Sequence, residues 1–141
     1  MELELPETIS RGFNIKPQLS LKSRDYILVF DGEEDIREIK VDPTTLNQIN
    51  IDPGAIVITA PGNQVDFVSR VFTPQASIFE DPATGSTHCS LIPWWSKKLG
   101  KSKLTALQLS DRQGYFQCED LGHRVLISGQ CHAYLAAKIY I

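Results

Sequence analysis

The chain has 141 residues, a formal net charge of −3, 42% hydrophobic residues and 22% charged residues. This size and composition predict one globular domain over residues 1–141, and the charge gives no reason to expect a nucleic-acid or membrane partner. The longest apolar runs, 26–30 and 55–60, are too short to span a bilayer, and the N-terminal sequence lacks a signal pattern, which predicts a cytoplasmic protein.

The first half of the chain predicts short strands and helices separated by turns. The residues before Arg24 are irregular and predict a leading strand or loop. Apolar and β-branched runs predict strands over 24–30, 55–60 and 66–72. Acidic residues followed by spaced apolar ones predict a short helix over 33–39. Asp42 before Pro43 predicts the N-cap of a second helix that ends near Ile49. Turns are expected at 31–32, 52–54 and 61–63.

The second half predicts one long helix followed by strands. A loop over 73–84 leads into a helix from Gly85 to Leu99, with Gly100 after its end and Pro93 as a local irregularity. Short spacings then predict an antiparallel meander of strands over 104–109, 115–119, 124–128 and 132–141. The predicted fold class is α+β, with a curved, mostly antiparallel sheet wrapped around one long central helix.

The cysteines do not indicate a disulfide framework or a metal site. Cys89, Cys118 and Cys131 are an odd number and form no C-x-x-C pair. We therefore expect free thiols and no bound metal.

The segment from Glu80 to Cys89, with the sequence EDPATGSTHC, holds the densest cluster of reactive residue types in the chain. If the long helix begins at Gly85, the backbone N–H groups of Gly85, Ser86 and Thr87 form an anion site. Asp81 beside that anion is the candidate acid or base, and His88 could hydrogen-bond Asp81 or a ligand.

Each of these residues also has an ordinary structural interpretation. Polar residues before an apolar helix are typical of a helix cap, and an isolated histidine is commonly part of a core. Arg70, on the strand over 66–72, is either a salt-bridge partner or a ligand for a substrate carboxylate. The sequence pattern leaves both alternatives open.

Four segments together resemble the PhzF-like isomerases of phenazine biosynthesis, which share the diaminopimelate epimerase-type fold. They are DFVSRVF from Asp66, EDPATGSTHC from Glu80, QLS from Gln108 and VLISGQ from Val125. The similarity runs in order along nearly the whole chain. It implies a fold of two similar halves, each a sheet around a central helix, with the active site between them.

The resemblance also implies a chemistry. Members of the family are cofactor-independent isomerases or epimerases that move protons on small carboxylate-bearing substrates. Their main acid/base is a glutamate of the N-terminal half. The motif aspartate and serine, here Asp81 and Ser86, help to bind and orient the substrate, with the Gly85 N–H as a donor. Thr87 stands where the family tolerates a small residue, often alanine.

The chain resembles only the C-terminal half of the family, without the half that carries the glutamate. It is therefore expected to be a half or subunit of an isomerase, completed by a separate N-terminal half. The alternatives are a non-catalytic homodimer that binds a small anion, and a truncated inactive product. No organic cofactor is implied.

Overall fold

The fold is α+β, and the computed structural model describes residues 4–51 and 54–139. Its helices are α1 (Glu7–Arg11), α2 (Glu33–Glu38), α3 (Pro43–Leu46) and α4 (Gly85–Leu99). Its strands are β1 (Leu19–Lys22), β2 (Tyr26–Val29), β3 (Ile56–Pro61), β4 (Phe67–Phe72), β5 (Glu80–Asp81), β6 (Lys103–Gln108), β7 (Gly114–Asp120) and β8 (Val125–Ser128).

All eight strands belong to one mixed sheet. Their order is β1-β2-β3-β4-β6-β7-β8, and the short β5 pairs with β4 beside β6. Two neighbouring pairs, β2 with β3 and β4 with β6, are parallel, whereas the other five are antiparallel. The predicted antiparallel run of β6, β7 and β8 is confirmed, and the two parallel pairs arise because helices separate those strands in the chain.

Two apolar clusters lie on opposite faces of the sheet, and β4 contributes to both. Val68 and Phe72 pack in a cluster that includes Ile9 of α1 and residues of α2 and α3. We call it the α1–α3 cluster. Phe67 and Val71 pack in a second cluster with residues of α4. We call it the α4 cluster. Because side chains alternate along a strand, successive residues of β4 pack in the two clusters in turn.

Helix α4 has the predicted bounds. It continues through Pro93, and Gly100 follows it in the left-handed conformation with a φ of 68°. Leu91, Ile92 and Trp95 are its buried apolar residues, and they form the centre of the α4 cluster. Residues of both edge strands, β1 and β8, also pack against this cluster. This contact supports the expectation of a sheet curved around one central helix, which stays a prediction.

Three elements depart from the sequence predictions. The N-terminal region contains the helix α1, which begins after Pro6 and buries Ile9. The helix expected to reach Ile49 ends at Leu46. The expected loop over 73–84 includes the two-residue strand β5, which pairs with the end of β4. The predicted turn at 52–54 lies partly outside the described residues.

The predicted strand over 132–141 is wrong for residues 132–139. These residues have no regular structure, and Tyr134, Leu135 and Ile139 are 100%, 79% and 84% exposed. Their alternating pattern suits a strand, but a strand also needs a neighbouring edge to accept its backbone hydrogen bonds. Residues 140 and 141 lie outside the described part of the chain.

Within the described ranges, no helix combines the length and apolar character needed to cross a bilayer. The three thiols are free: Cys89 and Cys131 are exposed, and Cys118 is buried in the α4 cluster. Burial raises the pKa of the Cys118 thiol to about 11. Cys118 is therefore a packing residue that stays protonated near neutral pH.

Candidate functional site

The candidate site is the loop between β5 and α4, where a carboxylate lies beside the start of a helix. Asp81 ends β5, and Thr84 is the N-cap residue of α4 with extended backbone dihedrals. The Thr84 hydroxyl donates to Asp81 Oδ2 over 2.6 Å and makes no capping hydrogen bond to the helix. The Thr84 side chain therefore orients the carboxylate instead of closing the helix end.

The start of α4 is consequently open to a ligand. The first backbone N–H groups of a helix have no acceptor within the helix, and they carry its positive dipole end. Gly85 and Ser86, the first two helical residues, are both exposed. A Cβ built on Gly85 would meet no atom within 4 Å. The structure therefore shows no side-chain cap by Thr84, and the anion site at these N–H groups stays a prediction.

Side chains at and just after the end of β6 bond to the loop between β5 and α4. Gln108, which is fully buried, bonds to Asp81 and Thr84, and the hydroxyl of Ser110 donates to the Pro82 carbonyl over 2.7 Å. Gln108 and Ser110 were recognised from the sequence only as part of the resemblance. Gln108 is the last residue of β6 and Ser110 lies beyond the strand, so the resemblance was the available signal.

A cationic group also reaches the helix start. Arg24 donates from Nη2 to the Ser86 hydroxyl over 3.1 Å, and it forms a bidentate pair with Asp25. Asp25 is itself almost fully buried and accepts from the Ala55 N–H. Arg24 was not predicted as a site residue, because it lies 62 positions from Ser86 and no local pattern joins the two.

Thr87 and His88, which were predicted to bind substrate, are buried instead. Thr87 donates its hydroxyl to the Thr84 carbonyl over 3.0 Å. The His88 ring is 0% exposed, its Nδ1 lies 2.8 Å from the same carbonyl, and its centroid lies 4.2 Å from that of Phe116. Both side chains bond to the Thr84 carbonyl, and His88 makes this bond where a bond to Asp81 was considered.

The burial of His88 predicts a pH dependence of stability. Desolvation lowers the pKa of His88 from its ordinary value of 6.5. As the pH falls through that value, the unfolded chain takes up a proton that the folded chain does not, so stability decreases. We expect the free energy of unfolding, measured in urea, to decrease when the pH is lowered from about 7.5 to about 5.5. This decrease should be smaller in His88→Phe than in the wild type. An equal fall in both would contradict this.

Arg70 lies on the other face of the sheet from α4. Its guanidinium pairs with Glu80 through bonds of 2.8 and 2.9 Å and also donates to the carbonyls of Ile36 and Ile39. Val68 and Phe72, which share its face of β4, belong to the α1–α3 cluster. The structure thus gives Arg70 the salt-bridge role and does not bring it to the other predicted site residues.

A cavity of about 680 Å³ lies elsewhere, between the loop before β4 and strands β6 to β8. Asp66, Lys101 and Thr105 line it, and its lining includes none of the six predicted site residues. Asp66 is already paired with Lys101 over 2.5 Å and accepts from the Thr105 N–H. Since these polar groups bond to one another, fewer of them are available to bind a ligand than at the start of α4.

The described ranges 4–51 and 54–139 contain no group of three or more His, Cys, Asp or Glu side chains arranged to hold a metal ion. The chemistry on offer is that of a carboxylate, helix N–H groups, a hydroxyl and a guanidinium. Such a set can bind a small anion and exchange a proton with it.

Solved structures match this fold closely. A crystal structure of a phenazine biosynthesis PhzC/PhzF protein from Clostridium difficile is 41% identical, with a TM-score of 0.85 over 100% of this chain and 54% of that one. A PhzF family protein from Enterococcus faecalis is 35% identical, with a TM-score of 0.86 over 95% of this chain and 54% of that one.

Curated relatives point the same way. Two uncharacterized isomerases of Pseudomonas aeruginosa are 35% and 42% identical over 96% and 92% of this chain. The chain covers 52% and 49% of their lengths, so it spans about half of the curated relatives it matches. The family model described as phenazine biosynthesis-like protein matches residues 10–136. The chain therefore belongs to the PhzC-PhzF family of phenazine biosynthesis-like proteins.

Proposed function

We propose that this chain forms one half of a cofactor-independent isomerase that shifts a proton on a small carboxylate-bearing substrate. The observation that carries the proposal is the Asp81 carboxylate held beside the open start of α4. The names of its relatives support an isomerase, and their length supports a second half. By its resemblance, the chain supplies the C-terminal half.

The proposed roles follow from what each group can do. The N–H groups of Gly85 and Ser86 bind the substrate carboxylate, because helix N-termini attract anions. The Ser86 hydroxyl, held by Arg24, donates to the same group. The Asp81 carboxylate, oriented by Thr84, then lies beside the bound substrate and exchanges a proton with it.

The resemblance assigns the main acid/base to a glutamate of the N-terminal half, which would act on the substrate together with Asp81. That half would close over the end of α4 and exclude water from the reacting carbon. The proposal therefore places the active site between this chain and residues of a PhzF-like N-terminal half. No cofactor takes part in the proposed reaction.

The test is the molar mass by light scattering, for the chain alone and after addition of a PhzF-like N-terminal half. A one-to-one complex supports the proposal. We call this complex the reconstituted pair, and its activity is measured as deuterium uptake from D₂O into a panel of small amino and hydroxy acids by NMR. Failure of the halves to associate, or association without exchange on any acid, would contradict it.

A second candidate function is a homodimer that binds a small anion without catalysis. It is favoured by the exposed apolar side chains on and near the β7–β8 hairpin, since such surface promotes association. Tyr115, Leu121 and Leu126 are 45%, 51% and 51% exposed. A dimer that ignores the added N-terminal half supports this candidate, whereas a monodisperse monomer counts against it.

Gly85→Ala separates ligand binding from stability. The added Cβ meets no atom of the chain, so the free energy of unfolding should stay the same or rise by at most about 1 kcal/mol. The methyl group would, however, occupy the approach to the helix N–H groups. We expect weaker binding of benzoate, as a simple carboxylate probe, in an NMR titration.

The matched control for this variant is Gly100→Ala. Gly100 closes the other end of α4 at a positive φ, so alanine there should lower stability and leave benzoate binding intact. Wild-type affinity in Gly85→Ala would contradict the proposed site.

A further inference from the structure

The buried side chain of Gln108 uses both ends of its amide on the candidate loop. Its Oε1 accepts from the Thr84 N–H over 2.9 Å. Its Nε2 donates to the Asp81 carbonyl over 2.6 Å and to the Thr84 hydroxyl oxygen over 3.1 Å. Gln108 is 0% exposed and is the last residue of β6, so it fixes the loop to the sheet.

These bonds form a relay that ends at the reactive group. The Thr84 hydroxyl oxygen accepts from Gln108 and donates its own proton to Asp81 Oδ2. With its lone pairs facing Gln108, this hydroxyl is drawn away from the N–H groups of α4, which it would otherwise cap. The same glutamine thus aims the carboxylate and keeps the helix start open.

We propose that Gln108 is the positioning residue of the Asp81 site, acting through Thr84. This inference rests on the proposed function, because it assigns Gln108 the task of preparing that site for a carboxylate ligand. Gln108 does not touch the ligand. Its effect is to hold the Asp81 carboxylate and the first N–H groups of α4 in one arrangement before the ligand arrives.

Glutamine is the residue type that this position requires. The loop presents a donor, the Thr84 N–H, and an acceptor, the Asp81 carbonyl, and a neutral amide satisfies both. Glutamate would keep the acceptor but lose the donor, and its charge would attract the Thr84 hydroxyl away from Asp81. Methionine would fill a similar volume and leave both loop groups unsatisfied.

Ser69 provides a matched control from the same row of the sheet. Ser69 of β4 is the register partner of Gln108 and is 0% exposed. Its hydroxyl is among the buried polar atoms without a hydrogen-bond partner in the described part of the chain. Ser69→Ala thus changes a neighbouring buried polar side chain without removing a bond to the loop.

The test compares wild type, Gln108→Met, Gln108→Glu and Ser69→Ala by NMR. Three quantities are measured: benzoate affinity from the Gly85 and Ser86 amide shifts, hydrogen exchange of the Thr84 amide, and the urea midpoint. We expect Gln108→Met to weaken benzoate binding and speed Thr84 exchange by about tenfold or more each. Ser69→Ala should change neither.

Gln108→Glu distinguishes positioning from simple support of the fold. Because it keeps an acceptor for the Thr84 N–H, it should restore slow Thr84 exchange without restoring benzoate affinity. If it restores both, or if Gln108→Met binds benzoate like the wild type, the positioning role is wrong. If Gln108→Met does not fold, the comparison of Gln108→Glu with the wild type still tests the positioning role.

The two proposals fail in different measurements. A wild-type chain that shows no benzoate-dependent shift at Gly85 or Ser86 contradicts the anion site of the proposed function. A wild-type chain that binds benzoate, with variants that bind it equally well, contradicts only the role of Gln108.

Discussion

Replacing Asp81 with asparagine is expected to slow proton exchange in the reconstituted pair by about 10²–10⁴-fold, the usual contribution of a general acid or base. Asparagine keeps an oxygen that can accept from the Thr84 hydroxyl, so the loop should retain its conformation. It cannot, however, hold and release a proton near neutral pH. The measurement is the rate of deuterium uptake from D₂O into the substrate.

The control for this change is Asp35→Asn in α2, which packs on the opposite face of the sheet. Asp35 also carries a carboxylate that accepts a local hydrogen bond, from the Asp31 N–H. Its substitution should leave the exchange rate unchanged. Asp81→Asn with wild-type activity would remove Asp81 from the chemistry and leave it only a structural role.

Replacing Trp95 with alanine is expected to have the largest effect on stability. The Trp95 ring is 2% exposed and lies parallel to Phe67, with centroids 5.6 Å apart and planes 5° apart. Its Nε1 donates to the Thr59 hydroxyl over 3.0 Å. Removal of such a side chain from a core costs about 3–5 kcal/mol, a large part of the stability of an ordinary domain.

Two further variants show which contact matters. Trp95→Phe keeps a stacked ring and loses the N–H, and Thr59 still donates to the Val68 carbonyl, so a loss of about 1–2 kcal/mol is expected. Trp94→Ala removes a neighbouring tryptophan that is only partly buried and should cost less than Trp95→Ala. Urea unfolding followed by far-UV circular dichroism gives all three values. An equal loss at Trp94 and Trp95 would contradict the central position of Trp95.

Local sequence signals predicted the elements that depend on neighbouring residues. The bounds of α4 were predicted from the turn residues before Gly85 and from Gly100 after Leu99. Both signals lie beside the helix in the sequence. The strands β3 and β4 were found from their β-branched and alternating residues. The tail over 132–139 shows the limit of this approach, because its pattern suits a strand but cannot supply a partner.

The candidate loop was recognisable in the sequence, but only some of the side chains that contact it were. The segment from Asp81 to Ser86 was recognisable, yet the choice of the Thr84 side chain between capping the helix and bonding Asp81 depends on Gln108. Gln108 follows Asp81 by 27 positions. Such contacts depend on the pairing of distant strands, which one sequence does not specify. For the same reason, the alternation of residues around Arg70 indicated that β4 has two faces, but it did not indicate which face lies toward the candidate site.

The double use of β4 also limits how the length of this chain can vary. A one-residue insertion in a strand moves every following side chain to the other face. In β4 it would carry Phe72 out of the α1–α3 cluster and Arg70 away from Glu80 toward the apolar face around Trp95. A deletion would do the same, so length changes should be tolerated in the flanking segments 62–65 and 73–79 and rejected between Phe67 and Phe72.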